Sequence, residues 1–226
     1  MIPSTWVLLG AGGHARVLMD ALKQSGQAVS GVYVPPNALL PAWGSGLKPV
    51  HTDEQLLSRF PPDASRLILG IGSVGDNRKR MRLFNHYRDL GYHFASVLHP
   101  GHLRGEDVLL GEGCQIMAGV VLQPGSSIGD NVIVNTGVCV DHECVIGDHV
   151  HLAPGVVLSG GVRIECAAHI GTGAVVIQGI RIGAGALVAA GATVVRHVAA
   201  GARVAGIPAR PIISNQQGAS GPPLGV

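Results

Sequence analysis

Aromatic residues are scarce in this chain. They make up 4% of its 226 residues while 46% are hydrophobic, so its core must be built from small aliphatic side chains. Such a composition suits a repetitive β architecture better than a mixed globule. Charge is sparse too: a net +2 without any long Lys/Arg run offers no surface for nucleic acid or an anionic membrane. No apolar run reaches the ~20 residues of a membrane span. The opening MIPSTWVLLGAGGH lacks the basic segment of a secretory signal, and a cytoplasmic protein is expected. Cys114, Cys139, Cys144 and Cys166 show no C-x-x-C spacing, which argues against a zinc site or redox pair and fits a reducing compartment.

What is present divides into two halves. Up to about residue 95, apolar runs alternate with helical patterns, the mark of a parallel sheet. Strands are predicted at WVLLG (6–10), VSGVYV (29–34) and RLILGIG (66–72). Helices are predicted over HARVLMDALKQSG and SVGDNRKRMRLFNHYRDLG, the second with a basic face. HFASVL (93–98) either closes the sheet or leads out of it. From Leu110 an aliphatic residue recurs every six positions through Val194, with no insertion. Neither helix nor ordinary strand has that period, so short strands joined by tight turns and stacked as a parallel β-helix are predicted. The polar, Gly/Pro-rich stretch SNQQGASGPPLGV reads as a disordered tail.

Three places after each aliphatic, the residue is glycine in ten of fifteen hexads. A turn with positive φ explains this preference. Asn131, Glu143, His149, Ala167 and His197 are the exceptions. Glu143 and His149 fall inside VDHECVIGDHVHLAPG (140–155), where ionisable residues crowd into an otherwise bland region. Accepting strain there points to function.

The period and units such as IGDNVI and IGAGAL resemble the hexapeptide repeat of left-handed β-helix acyltransferases. That resemblance implies triangular coils of 18 residues, about five of them over roughly 110–199. Stacking then puts Gly160 over His142, His169 over His151, and Asn135 beside His151. His142 and His151, half a coil apart, cannot form a dyad within one chain, so a site shared between subunits of a cyclic trimer is expected. The adjacent pair His142-Glu143 reads as a general base oriented by a carboxylate. His149 and His169 read as solvated or stacking histidines. Cys144 occupies an inward slot and reads as core.

GAGGHA (10–15), between a strand and a helix, has the form G-x-G-x-x-A. The second strand ends VYVPP without the acidic residue that holds ribose hydroxyls, which disfavours an NAD site. A phosphate cradle for a sugar nucleotide, or a plain tight turn, remains.

GAGGHA, GIGSVGDNRKR, VLHP, NTGVCVDHECVIGDHVHLAPG and VAGIPARP in this order are similar to the bacterial sugar acetyltransferases of the sialic acid O-acetyltransferase and bacillosamine N-acetyltransferase type, over about residues 5–211. The resemblance implies an α/β Rossmann-like nucleotide-sugar domain (1–97) followed by an all-β left-handed parallel β-helix (98–211) and a tail (212–226). It implies His142 as catalytic base and Glu143 as the residue that makes it more basic. Gly12, Gly13, His14, Gly72 and Asn135 would hold the acceptor, and His151, Gly160, Thr172 and Ala190 the acetyl-CoA. No metal and no tightly bound cofactor is implied; acetyl-CoA is a co-substrate, and the assembly is a homotrimer. Members that use a UDP-sugar carry an Asp-Asp pair where this chain has Val34, Pro35 and Pro36, which leaves the nucleotide open. The expected reaction is acetylation of the amino group of a nucleotide-linked amino sugar, with O-acetylation of sialic acid or a related sugar hydroxyl as the alternative. A zinc hydratase on the same β-helix would need two histidines five apart, a spacing that His142, His149, His151 and His169 never show. A non-catalytic scaffold or sugar-nucleotide sensor is the remaining rival.

Overall fold

The computed structural model of the chain describes residues 5–36 and 38–212. All eight aromatics, from Trp6 to Phe94, lie in the first 94 residues. There six of them gather on one side of a five-stranded parallel sheet, while Trp6 and Trp43 pack on the other. Its strands are β1 (Thr5–Leu9), β2 (Gly31–Tyr33), β3 (Lys48–Val50), β4 (Ser65–Leu69) and β5 (His93–Phe94), in spatial order β3-β2-β1-β4-β5. Helix α1 (Gly13–Gln24) packs Ala15, Leu18, Ala21 and Leu22 on one face of this sheet. Helices α2 (Asp53–Arg59) and α3 (Arg78–Asp89) serve the other, where Phe60, Phe84, Tyr87, Tyr92 and Phe94 cluster.

Several expectations need correction here. β3 and α2 had no clear sequence signal, because β3 contains a proline and α2 is only seven residues long. α3 starts at Arg78, so SVGDN forms a loop before it. On the helix's basic face Arg78, Lys79 and Arg82 are exposed, but Arg80 is 2% exposed and turns inward. HFASVL does both things asked of it. His93–Phe94 closes the sheet and Val97–Leu98 is the first strand of the β-helix.

The β-helix has three faces. Face one stacks Leu103–Arg104, Val121–Leu122, Cys139–Val140, Val157–Leu158, Val175–Val176 and Thr193–Val194. Face two stacks Leu109–Leu110, Ser127–Ile128, Val145–Ile146, Arg163–Ile164 and Arg181–Ile182. Face three runs from Val97–Leu98 through Gln115–Ile116, Ile133–Val134, His151–Leu152, His169–Ile170 and Leu187–Val188 to Arg203–Ala205. Parallel partners lie 18 positions apart, as in His151↔His169. The second residue of most strands points inward, which yields columns such as Val134, Leu152, Ile170 and Val188, each 0% exposed.

The coils begin earlier than the repeat pattern does. Arg104 occupies an inward-type slot at the open end, where its Nη2 donates to Val108 O at 2.8 Å instead of filling a core. That substitution hid the first hexads. At the other end Leu187 pairs with Arg203, 16 positions on, so the last coil is short. His197 falls in that shortened coil and does not adopt positive φ. The other four exceptions do: Asn131 (56°), Glu143 (58°), His149 (61°) and Ala167 (58°) all sit in the left-handed region, like the glycines they replace. The expected disordered tail lies, apart from Ile212, outside the described residues.

The α/β domain docks on face three and on the corner between faces two and three. Asn77, 3% exposed, donates through Nδ2 to His149 O (3.0 Å) and Ala168 O (2.9 Å). Arg88 pairs with Glu112 at 2.6 Å, and Phe84 meets the His149 ring edge-on at 5.5 Å.

Candidate active site

His142 and Glu143 occupy the turn between faces one and two. Asp141 Oδ1 accepts from His142 N at 2.7 Å, and His142 O accepts from Gly161 N at 2.9 Å, so the backbone here is tied to its own turn and to the coil above. Glu143 holds φ at 58°, a conformation that costs a non-glycine residue roughly 1 kcal/mol or more. In return its carboxylate stays beside the imidazole, with Oε2 3.5 Å from His142 Nδ1. Both side chains are more than half exposed, at 54% and 78%. The ring lies against Gly160, one coil up: a Cβ there would stand 2.5 Å from Nε2. Gly160 therefore leaves a flat surface for the imidazole, as the stacking predicts. Nε2 makes no hydrogen bond with another described residue, so it is free for a substrate.

His151 lies on face three, under the α/β domain. Its Nδ1 is 2.9 Å from Ser73 Oγ and its Nε2 3.3 Å from Asn135 Nδ2. Asn135 Oδ1 already accepts from Thr136 N at 2.8 Å, so Nδ2 is the donor toward the ring. His151 is thus protonated on Nδ1, which donates to Ser73 Oγ. Burial and the neighbouring His169 push its pKa down to about 3, so the ring is neutral. His169 crosses it edge-on at 4.9 Å, with its own Nδ1 buried and unpartnered among the described residues. The expected contacts of Asn135 and His169 with His151 are both present. His149, half-buried, pairs with Asn131 Nδ2 at 3.0 Å and packs on Phe84.

The remaining candidates spread over separate places. Thr172 and Ala190 are exposed and stack one coil apart on the corner between faces three and one, the corner that also carries Asn135. Gly160 belongs with His142 on the corner between faces one and two. Gly12 and Gly13 are exposed at the start of α1, and a Cβ on either would meet nothing within 4 Å. Gly72 packs beside His14, whose Nε2 reaches Gln115 Oε1 at 2.7 Å. Within one chain, then, the candidates for acetyl-CoA lie on face three (His151) and on two different corners, and the His142 ring shares a corner only with Gly160.

Two buried residues at the domain junction, Gln115 and Arg80, were not singled out from sequence. Gln115 is 1% exposed; its Nε2 donates to Leu69 O at 2.8 Å while its Oε1 faces His14. Arg80 donates from Nη1 to Leu69 O (2.8 Å) and Ile71 O (2.7 Å), and burial lowers its pKa to about 9. A polar residue directly before the inward Ile116 was the available signal for Gln115. Cys144, fully buried, donates its thiol to Ser159 O, which agrees with a core role. All four cysteines are free. No group of three or more metal-ligating side chains occurs among the described residues.

Residues 6–87 match the PglD N-terminal domain family, and residues 107–142 match the bacterial transferase hexapeptide (six repeats) family. Among solved structures, the chain is similar to PerB from Caulobacter crescentus, a structure in complex with CoA and GDP-perosamine. The two share 37% identity and a TM-score of 0.83, covering 92% of this chain and 97% of that one. The acetyltransferase domain of PglB from Neisseria gonorrhoeae is 32% identical with a TM-score of 0.82, covering 92% of this chain and 100% of its own. WeeI from Acinetobacter baumannii is 29% identical, with a TM-score of 0.80 over 92% and 99% of the two chains. No curated protein matches the chain. The likeness to PerB and PglB spans both domains in the same order, and the chain belongs to the sugar N-acetyltransferases built from a PglD-type N-terminal domain and a hexapeptide-repeat left-handed β-helix.

Proposed function

We propose that the chain transfers the acetyl group of acetyl-CoA to the amino group of a nucleotide-linked 4-amino sugar, with His142 as general base, at sites shared between the chains of a homotrimer. The observation that carries the reading is the His142–Glu143 pair set against Gly160, in a chain that folds over nearly its whole length like a perosamine N-acetyltransferase. Nε2 of His142 takes a proton from the attacking nitrogen as that nitrogen bonds to the thioester carbonyl. Glu143 stabilises the imidazolium that forms. The tetrahedral intermediate collapses by breaking the C–S bond, and the imidazolium returns the proton to the departing CoA thiolate. No metal and no covalent enzyme intermediate takes part.

Gly12, Gly13, His14 and Gly72 hold the acceptor nucleotide sugar, with Asn135 lining its sugar end. His151, Gly160, Thr172 and Ala190 contact acetyl-CoA. Face one supports the trimer: its outward residues Leu103, Cys139, Val157 and Val175 form an exposed apolar ladder with no partner among the described residues. That ladder lies between the corner of Asn135, Thr172 and Ala190 and the corner of His142 and Gly160. Packing face one against a second copy in a ring carries the His142 corner to a neighbouring chain. The nucleotide is GDP rather than UDP: Val34 is buried at the end of β2 where UDP-sugar users carry an acidic pair, and PerB, with 37% identity, is a GDP-perosamine enzyme. Four free cysteines suit the cytoplasm, where acetyl-CoA is available, and the product serves surface-glycan synthesis. Among the described residues no helix is long and apolar enough to cross a membrane.

The test is acetyl-CoA-dependent thiol release with GDP-, dTDP- and UDP-linked 4-amino sugars, their 4-hydroxy counterparts, and free and CMP-linked sialic acid. The expected result is turnover with the GDP-linked amino sugar and an amide product. Turnover only with the hydroxy sugars or sialic acids would move the assignment to O-acetylation.

A further inference from the structure

The junction between the domains fixes the hydrogen-bonding character of the glycine loop's histidine. Gln115 Nε2 donates to Leu69 O, a carbonyl that can only accept, so the orientation of the Gln115 amide is determined. Its Oε1 therefore faces His14 Nε2 at 2.7 Å. An amide oxygen can only accept in turn, so Nε2 of His14 carries a proton. Arg80 donates to the same Leu69 carbonyl and to Ile71 O, which holds the end of β4 in place. Burial, with Arg80 near by, lowers the His14 pKa to about 4 although the Gln115 hydrogen bond opposes this. A neutral ring protonated on Nε2 has a bare lone pair on Nδ1.

That Nδ1 makes no hydrogen bond with another described residue. It lies 3.8 Å from where a Cβ on Gly72 would stand, and the space around Gly12 and Gly13 is open. The lone pair thus borders the gap between the two glycine loops. We propose that Gln115 is a positioning residue that locks His14 as the Nε2–H tautomer, so that His14 accepts a hydrogen bond from an O–H or N–H donor of the nucleotide sugar and does not bind its phosphates. The proposal rests on the reading above, in which these loops hold the acceptor. A bare Nδ1 repels phosphate oxygens, which also carry only lone pairs, and selects a hydroxyl or a base N–H.

Two readouts test it. In ligand-free protein with 15N-labelled histidine, long-range 15N–1H correlation should show His14 protonated on Nε2 and bare on Nδ1 from pH 8 down to pH 5. In Gln115→Leu the ring should populate both tautomers and, having lost the one contact that favours its charged form, titrate at still lower pH. The KM for the GDP-linked amino sugar should then rise about tenfold, the scale of one good hydrogen bond, while kcat and the KM for acetyl-CoA stay within about twofold. Gln115→Glu keeps the side-chain length and still accepts from His14, yet favours the imidazolium; Nδ1 then donates, and the same selective rise in KM is expected. Wild-type His14 protonated on Nδ1, or an unchanged acceptor KM in both variants, would overturn the proposal. If the tautomer is as stated and no amino sugar is acetylated, the functional reading falls while the Gln115–His14 assignment stands.

Discussion

His142→Ala is expected to lower kcat by about 10²- to 10⁴-fold, the range that a positioned general base contributes. The side chain is half exposed on a turn, so its loss opens no cavity and the melting temperature should barely move. KM for acetyl-CoA should also hold, because the ring removes a proton and does not anchor the cofactor's bulk. The change would then fall on kcat alone, the sign of an interaction made in the transition state. A variant that folds normally and keeps more than a tenth of wild-type kcat would remove His142 from the reaction. Steady-state kinetics beside a thermal melt decide the matter.

Gly160→Ala tests the same ring from the coil above. The backbone at Gly160 does not have positive φ, so alanine is sterically allowed there except for what its Cβ meets. What it meets is the imidazole: Nε2 would be 2.5 Å away, so the ring has to swing off its surface. A misplacement of about 1 Å can cost 10²-fold in rate, and a loss of that order is expected with little loss of stability. In His142→Ala the space is vacant, so adding Gly160→Ala should cost almost nothing further. That non-additivity separates displacement of the base from a general disturbance of the coil. Equal and additive losses in the two backgrounds would show that Gly160 acts without His142.

The sequence carries the β-helix plainly because each hexad repeats one physical need, an inward aliphatic and a turn that tolerates positive φ. The turn rule holds even at Asn131, Glu143, His149 and Ala167, which adopt the glycine conformation with side chains attached. It hides the first coil, where Arg104 replaces the aliphatic, and it ends with the last coil, shortened to 16 residues, where His197 lies. The stacking of Gly160 on His142 and of His169 on His151 follows from the period by arithmetic. The domain junction does not. Arg80 looks like one cation on a basic helix and Gln115 like one polar residue on a strand; only the docking of α3 and face three buries them and gives them shared carbonyl partners. Burial between two domains leaves no periodic trace in either. The same limit applies to His14, whose glycine-loop setting suggests a ligand contact but not which nitrogen bears the proton.

In the proposed trimer one chain brings His142 and Gly160 while its neighbour brings the corner of Asn135, Thr172 and Ala190. Co-expressing His142→Ala with Ala190→Glu tests it most directly. Each variant alone should be inactive, the first for want of the base and the second because a carboxylate and its bulk stand where acetyl-CoA rests. In randomly mixed trimers about a quarter of the shared sites would combine an intact His142 with an intact Ala190, and activity should return to about that fraction of wild type. Mixed trimers as inactive as their parents would place the whole site within one chain and contradict the account.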